Sequence, residues 1–219
     1  RRAYLVCGIA AETERQGMAM IEEAATAGAD AVLVITPTTL ARNRTQYFEG
    51  FYTDLADLSP LPVLLYSVPS VTAFELPEES VARLAQHPRI TGIKDSGGHP
   101  VRLQRIIASV PDDFTVFTGS TQAVTLAVAA GAHGAITAST NYIPERVLEM
   151  VTTAIRSPVK ARPLQQQISR ISAAVEAFGI PGVKAAAERS AGLRPGHPRL
   201  PLRRLPTEEA ERLAAVING

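Results

Sequence analysis

Short apolar runs alternate with helically spaced apolar stripes along most of the chain. The runs at 4–9, 31–35, 62–67, 90–95, 114–118 and 133–137 are rich in Val, Ile and Leu. They alternate only partly between apolar and polar residues, the pattern of strands buried on both faces. Between them, Phe48, Phe51, Tyr52 and Leu55 stand at i, i+3, i+4 and i+7. Leu103, Ile106, Ile107 and Val110 repeat that spacing, and Val81, Leu84 and Ala85 make a shorter stripe. Each stripe predicts an amphipathic helix. Pro100 and Pro144 suit first helical positions, while Gly28 and Gly131 suit helix ends.

Six strand–helix units in series predict a parallel sheet. Beyond 137 the pattern turns helical. Leu164, Ile168, Ile171, Val175 and Phe178 predict one long helix, and 207–217 predicts the last. Residues 192–206 hold four of the chain's 16 prolines and predict an extended surface connection. The pattern divides the chain into a partial (β/α) barrel, 1–157, and a helical extension, 158–219.

Two architectures accommodate six units: an open doubly wound sheet, or a (β/α)8 barrel short of two units. The doubly wound sheet calls for a glycine-rich phosphate turn after an early strand. Ala10-Ala11-Glu12-Thr13 follows the first strand instead, with no G-x-G-x-x-G, so nucleotide binding is unsupported. The barrel calls for polar residues at the C-terminal ends of several strands, and Thr36, Tyr66, Lys94, Ser96, Thr118 and Thr137 supply them. The fold class predicted is therefore α/β: an incomplete (β/α)8 TIM barrel of about six units with a C-terminal helical extension.

Composition narrows the functions. The chain has 219 residues, 46% of them hydrophobic, enough for a substantial core. A net charge of +1 gives no electrostatic attraction for nucleic acid or a charged membrane, and neither is predicted as a partner. No apolar run approaches the roughly 20 residues of a spanning helix. One cysteine, Cys7, excludes an internal disulfide framework and fits a reducing compartment, read as the cytoplasm with the mitochondrial matrix as alternative. His87, His99, His133 and His197 lack metal-ligand spacing, so no metal is predicted.

Lys94 is the most informative residue. It stands late in a strand expected to be buried, where an isolated ammonium is costly and burial pushes a lysine pKa down. A neutral amine at a barrel mouth is a nucleophile toward ketones, which points to Schiff-base chemistry. The alternative is a lysine paired with a carboxylate or reaching solvent at a strand end. If Lys94 faces the barrel interior, Asp95 faces the helices and Ser96 faces inward again. Ser96 is then placed to donate to a carboxylate or carbonyl, and Asp95 to bond loop or helix backbone. Tyr66 ends the preceding strand, and its phenol can give and take a proton. The alternative for Tyr66 is a core tyrosine capping the barrel. Gly119-Ser120-Thr121 could bind an anion or merely cap a helix, and the hydroxyls after Thr36 could touch substrate or form a turn.

Leu65-Tyr66-Ser67-Val68-Pro69, followed by Gly92-Ile93-Lys94-Asp95-Ser96-Gly97-Gly98, resembles the dihydrodipicolinate synthase/N-acetylneuraminate lyase family of pyruvate-handling class I aldolases. The resemblance covers the whole chain and includes Val34-Ile35-Thr36-Pro37 and Gly134-Ala135-Ile136-Thr137. The stretches 56–98 and 178–184 look most like 4-hydroxy-2-oxoglutarate aldolase. The resemblance implies a (β/α)8 barrel in which Lys94 forms the Schiff base and Tyr66 shuttles protons. Ser96 and the Ile136 backbone would then contact a small 2-oxoacid substrate, with Thr36 and Gly119 as further substrate-binding candidates from their places at strand ends. It implies no organic cofactor, and self-association as a homotetramer or homodimer. Dihydrodipicolinate synthase-like activity, sugar-acid aldol cleavage and non-catalytic 2-oxoacid binding are the alternatives.

Three departures qualify the resemblance. The synthases carry an arginine after Tyr-x-Val-Pro that binds a second carboxylate; here Ser70-Val71-Thr72 offers Val71. They carry a tyrosine pair after the Thr-Pro strand end, where Thr38 and Thr39 stand here. Family members also have two further βα units before the strand at 4–9, bearing a motif for the pyruvyl carboxylate. The chain opens on Arg1 without them, and so reads as the remainder of a longer protein or as a degenerate member.

Overall fold

The computed structural model describes residues 3–40 and 44–219. Packing groups the chain into two compact units, Arg1–Gly119 with Ala130–His133, and Ser120–Ala129 with Gly134–Gly219. The expected division at 157/158 falls inside the second of these.

In the first unit, β1 (Val6–Ile9), β2 (Ala31–Ile35), β3 (Val63–Ser67), β4 (Ile90–Asp95) and β5 (Thr115–Thr118) form parallel pairs, each strand beside its neighbour in sequence. A doubly wound sheet reverses direction at a switch point; this order does not reverse, which is the winding of a (β/α) barrel. The fold is α/β, of the TIM-barrel class, with helices after the last strand. The helices of this unit are α1 (Glu14–Thr26), α2 (Thr45–Leu58), the short α3 (Pro69–Thr72), α4 (Glu78–Leu84) and α5 (Pro100–Ser109). Gly28 ends the α1 turn at φ 84°, a left-handed conformation that costs glycine little.

The sheet presents two chemically distinct faces. Val34, Leu65, Ile93 and Val116 are successive register partners and are all fully buried, so this row lies under the helices. Each such side chain contributes on the order of 1.5–3 kcal/mol by leaving water. The next row, Ile35, Tyr66, Lys94 and Phe117, points the opposite way and is only half-buried. Beneath it, Ala31, Leu33 and Leu64 form an apolar floor against which Val6, Tyr66 and Phe117 pack.

The pairing of β3 with β4 is irregular. Val63 pairs with Ile90 but Leu64 pairs with Gly92, so Thr91 is an extra residue on β4.

The second unit holds α6 (Val124–Ala129), β6 (Gly134–Ala135), α7 (Pro144–Arg156), α8 (Pro158–Glu176), α9 (Gly179–Ser190) and α10 (Thr207–Asn218). Its core gathers Val124, Tyr142, Val147, Met150, Ile168, Ile171, Val175 and Leu213. Residues 192–206 are an extended connection, as expected.

Several boundaries differ from the sequence pattern. β1 begins two residues later than expected. β6 is two residues long because Thr137 leaves the strand for a 3-10 turn, Ala138–Asn141, where its hydroxyl bonds that of Ser139 at 2.9 Å. The predicted long helix begins at Pro158 and stops at Glu176, so Phe178 lies outside it and is 39% exposed. Among the described residues, no helix is long and apolar enough to cross a membrane.

Candidate active site

Tyr66 and Lys94 are direct register partners at the C-terminal ends of β3 and β4. The Lys94 Nζ donates to Tyr66 Oη at 3.1 Å and lies 4.2 Å from the centre of the Tyr66 ring. Among the described residues no carboxylate pairs with Lys94, which removes one of the alternatives the sequence leaves open. The amine therefore has a hydroxyl partner on a half-buried face and, among the described residues, no carboxylate beside it.

Ser96 and Gly119 complete this cluster. The Ser96 N–H donates to the Ser67 carbonyl at 2.8 Å, continuing the β3–β4 ladder past the strand end. The Gly119 N–H donates to the Asp95 carbonyl at 2.6 Å. A Cβ built on Gly119 would stand 1.9 Å from Ser96 Oγ and 2.9 Å from Lys94 Cε. Only a residue without a side chain leaves room there for the lysine and serine as they stand.

Thr36 lies behind Tyr66. Its N–H and its hydroxyl both reach the Tyr66 carbonyl at 3.3 Å, and the hydroxyl also shares a 3.2 Å bond with Tyr52 of α2. Thr36 is 1% exposed, so its hydroxyl serves the protein rather than an open surface. The Tyr52 hydroxyl donates to the Val34 carbonyl at 3.0 Å, and full burial pushes its pKa up, keeping it a neutral donor. Ile136 follows β6 in the second unit and is half-buried.

Asp95 faces the helices, as strand alternation predicts. It is fully buried and accepts from Arg102 Nε of α5 at 3.0 Å and from the Gly97 N–H at 3.1 Å. Arg102 also donates to the Leu76 carbonyl and stands 3.5 Å from Glu75. The pair anchors the turn that carries Ser96. Sequence reasoning expects a backbone partner for Asp95 and misses Arg102; its one signal is a cation beside Leu103 on the buried flank of an amphipathic helix.

Sequence reasoning also misses Glu12, in the loop after β1. Its carboxylate accepts from Thr38, Thr39 and Leu40 in the turn after β2. Desolvation raises its pKa, but these bonds outweigh that and hold it down at about 2.

A cavity of about 200 Å³ in the second unit, lined by Lys184, Glu188, Arg189 and Arg204, contains none of these groups. Convergent chemistry, not concavity, marks the site. Among the described residues, no group of three His, Cys, Asp or Glu side chains could hold a metal ion.

Comparison with known proteins fixes the family. The model of the dihydrodipicolinate synthetase family matches residues 2–219. The chain belongs to that family. A 4-hydroxy-tetrahydrodipicolinate synthase of Listeria welshimeri is 30% identical over 220 residues, covering 100% of this chain and 75% of the relative. The crystal structure of a dihydrodipicolinate synthase from Bacillus anthracis superposes with a TM-score of 0.91 at 28% identity, covering 100% of this chain and 75% of that one. A prophage protein of the same family from E. coli K12, in complex with pyruvate, superposes with a TM-score of 0.90 at 25% identity, again covering 100% and 75%. The chain is thus a member of a family of enzymes whose chemistry runs through a covalent lysine imine and no external cofactor.

Proposed function

We propose that the site is that of a class I aldolase, cleaving a 4-hydroxy-2-oxoacid to pyruvate and an aldehyde. The substrate that fits the sequence resemblance is 4-hydroxy-2-oxoglutarate, with glyoxylate as the aldehyde. The observation that carries the reading is the 3.1 Å bond between Lys94 Nζ and Tyr66 Oη.

The lone pair of Lys94 Nζ attacks the C2 ketone and gives a carbinolamine. Tyr66 relays the proton from nitrogen to oxygen as the carbinolamine forms and then gives its own to the departing hydroxyl, so water leaves and a cationic imine remains beside the phenolate. Tyr66 then accepts the proton of the C4 hydroxyl as the C3–C4 bond breaks. The bonding pair enters the imine system and yields an enamine, while C4 leaves as the aldehyde. Protonation at C3 and hydrolysis of the imine release pyruvate and restore Lys94. Ser96 holds the substrate, and Gly119 keeps the space beside Lys94 open. Thr36 acts behind Tyr66 as a positioning residue. Self-association belongs to the same reading and is tested by sedimentation at working concentration.

A second reading has the same imine condensing pyruvate with an aldehyde, as the name of the Listeria relative suggests. Against it, Val71 is 71% exposed in α3 and offers no charge where the synthases carry an arginine. Supplying 4-hydroxy-2-oxoglutarate to one sample, and pyruvate with aspartate semialdehyde to another, separates the two. Faster turnover in the second sample contradicts the cleavage assignment. Absence of turnover in both, with pyruvate still bound, identifies a non-catalytic binder.

A further inference from the structure

The turn leaving β2 is closed by a carboxylate from the loop after β1. Glu12 Oε1 accepts from the N–H of Thr38 at 2.9 Å and from its hydroxyl at 2.8 Å. Oε2 accepts from the N–H of Thr39 at 2.8 Å and of Leu40 at 3.2 Å. Three successive backbone donors and a hydroxyl aimed at one anion form a nest, and bonds to an ionised acceptor are among the stronger ones. Glu12 is itself held in place. Its N–H donates to the Gln16 side chain at 3.2 Å, while Thr13 caps the first turn of α1.

The same turn begins at Thr36, which grips the Tyr66 carbonyl by its N–H and its hydroxyl. Only Pro37, with its fixed φ, separates Thr36 from the first donor of the nest. A short, twice-anchored segment therefore connects the Glu12 carboxylate to the backbone of Tyr66. Thr38 and Thr39 stand where the synthases have tyrosines; here Thr38 gives Glu12 its N–H and its hydroxyl, and Thr39 its N–H.

We propose that Glu12 is a positioning residue for Tyr66, a built-in anion that closes the 36–40 turn and so fixes the phenol beside Lys94. The proposal rests on the assignment of Tyr66 and Lys94 as the reacting pair. Glu12 neither moves a proton nor touches substrate.

The test uses the full chain as Glu12→Ala and Glu12→Gln. Three quantities are read: kcat and KM for cleavage, borohydride trapping of pyruvate on Lys94, and amide exchange at Thr38–Leu40. In Glu12→Ala, kcat falls about 10- to 100-fold, the scale expected when a reacting group is slightly misplaced, while KM changes less. Exchange at Thr39 and Leu40 accelerates. Added formate, a free carboxylate for the vacated nest, restores both in Glu12→Ala and leaves wild type unchanged. Glu12→Gln, which sets an amide group against backbone donors, loses activity without rescue. Wild-type kcat and KM in Glu12→Ala, with Lys94 still trapped, overturn the proposal; so does loss without formate rescue. Failure to trap Lys94 in wild type instead overturns the catalytic reading, and the exchange arm distinguishes the two. If Glu12→Ala does not fold, Thr38→Ala removes one side-chain donor only: a smaller loss of kcat supports the proposal, and no loss contradicts it.

Discussion

Tyr66 stands opposite Lys94 because β4 carries one residue more than β3 in this stretch. From Val63 and Ile90, an even register would have set Tyr66 against Ile93 and turned Lys94 into the helix layer. The extra residue, Thr91, shifts the partners by one, so that Leu64 meets Gly92 and Tyr66 meets Lys94. A one-residue slip exchanges the faces of a strand. Here the slip is built in, and it puts an amine and a phenol on the same open face.

Gly92, the residue after the extra one, lies close against β5. A Cβ at this position would stand 2.5 Å from the Thr115 carbonyl oxygen and 3.2 Å from Thr115 Cβ, so the β4–β5 backbone would have to part. Gly92→Ala is expected to destabilise the protein by about 1–3 kcal/mol, the usual cost of overpacking. Denaturant unfolding measures it, and an unchanged midpoint would mean the two strands are not so close.

Gly119→Ala should behave differently. The added methyl meets the ends of Ser96 and Lys94, which can swing away. Stability should then change little while activity falls about 100-fold, because the amine leaves its place. Comparing the unfolding midpoint with kcat reads both. Equal loss of the two would assign Gly119 a purely structural part.

Arg102→Ala leaves the Asp95 carboxylate fully buried without its cation. Breaking such a pair costs about 3–5 kcal/mol. Arg102→Met combined with Asp95→Asn should recover much of that loss, since no buried charge is then left alone. A loss under about 1 kcal/mol for the single variant would place the pair in the class of solvated surface bridges.

Acid should uncover the contribution of Glu12. Its ordinary pKa of 4.5 is lowered to about 2 in the folded chain, and the partners responsible, Thr38, Thr39 and Leu40, are all neutral. A depressed carboxylate pKa means the folded state binds the proton less readily than the unfolded one. The stabilisation is therefore whole above about pH 4.5 and is lost as the pH falls through about 2. The stability gap between wild type and Glu12→Gln should hold at neutral pH and close across that window. A gap that stays constant across it would show that ionisation of Glu12 is irrelevant.

Much of this was legible in residue order alone. β2 and β4 match their expected bounds because strands buried on both faces declare themselves as apolar runs. Lys94 and Tyr66 stood out as polar residues where such runs end. The sequence pattern assigns no helix to α9, whose first residues include Gly179, Pro181 and Gly182, poor helix formers. In the structure, a Cβ on Gly182 would lie 2.2 Å from the Val175 carbonyl oxygen, so that glycine serves close packing between helices. Phe178 continued a helical spacing that Gly179, at φ 58°, brings to an end. Arg102 and Glu12 were missed because a long-range polar pair leaves no periodic trace in either of its segments. The extra residue at Thr91 was hidden for the same reason: register belongs to two strands at once.

The most direct test of the account is reductive trapping. The intact protein is incubated with pyruvate and borohydride, digested, and mapped by mass spectrometry. A stable adduct is expected on Lys94, lost in Lys94→Ala and slowed in Tyr66→Phe. A folded protein that takes up no label at Lys94, or takes it up at another lysine, would contradict it.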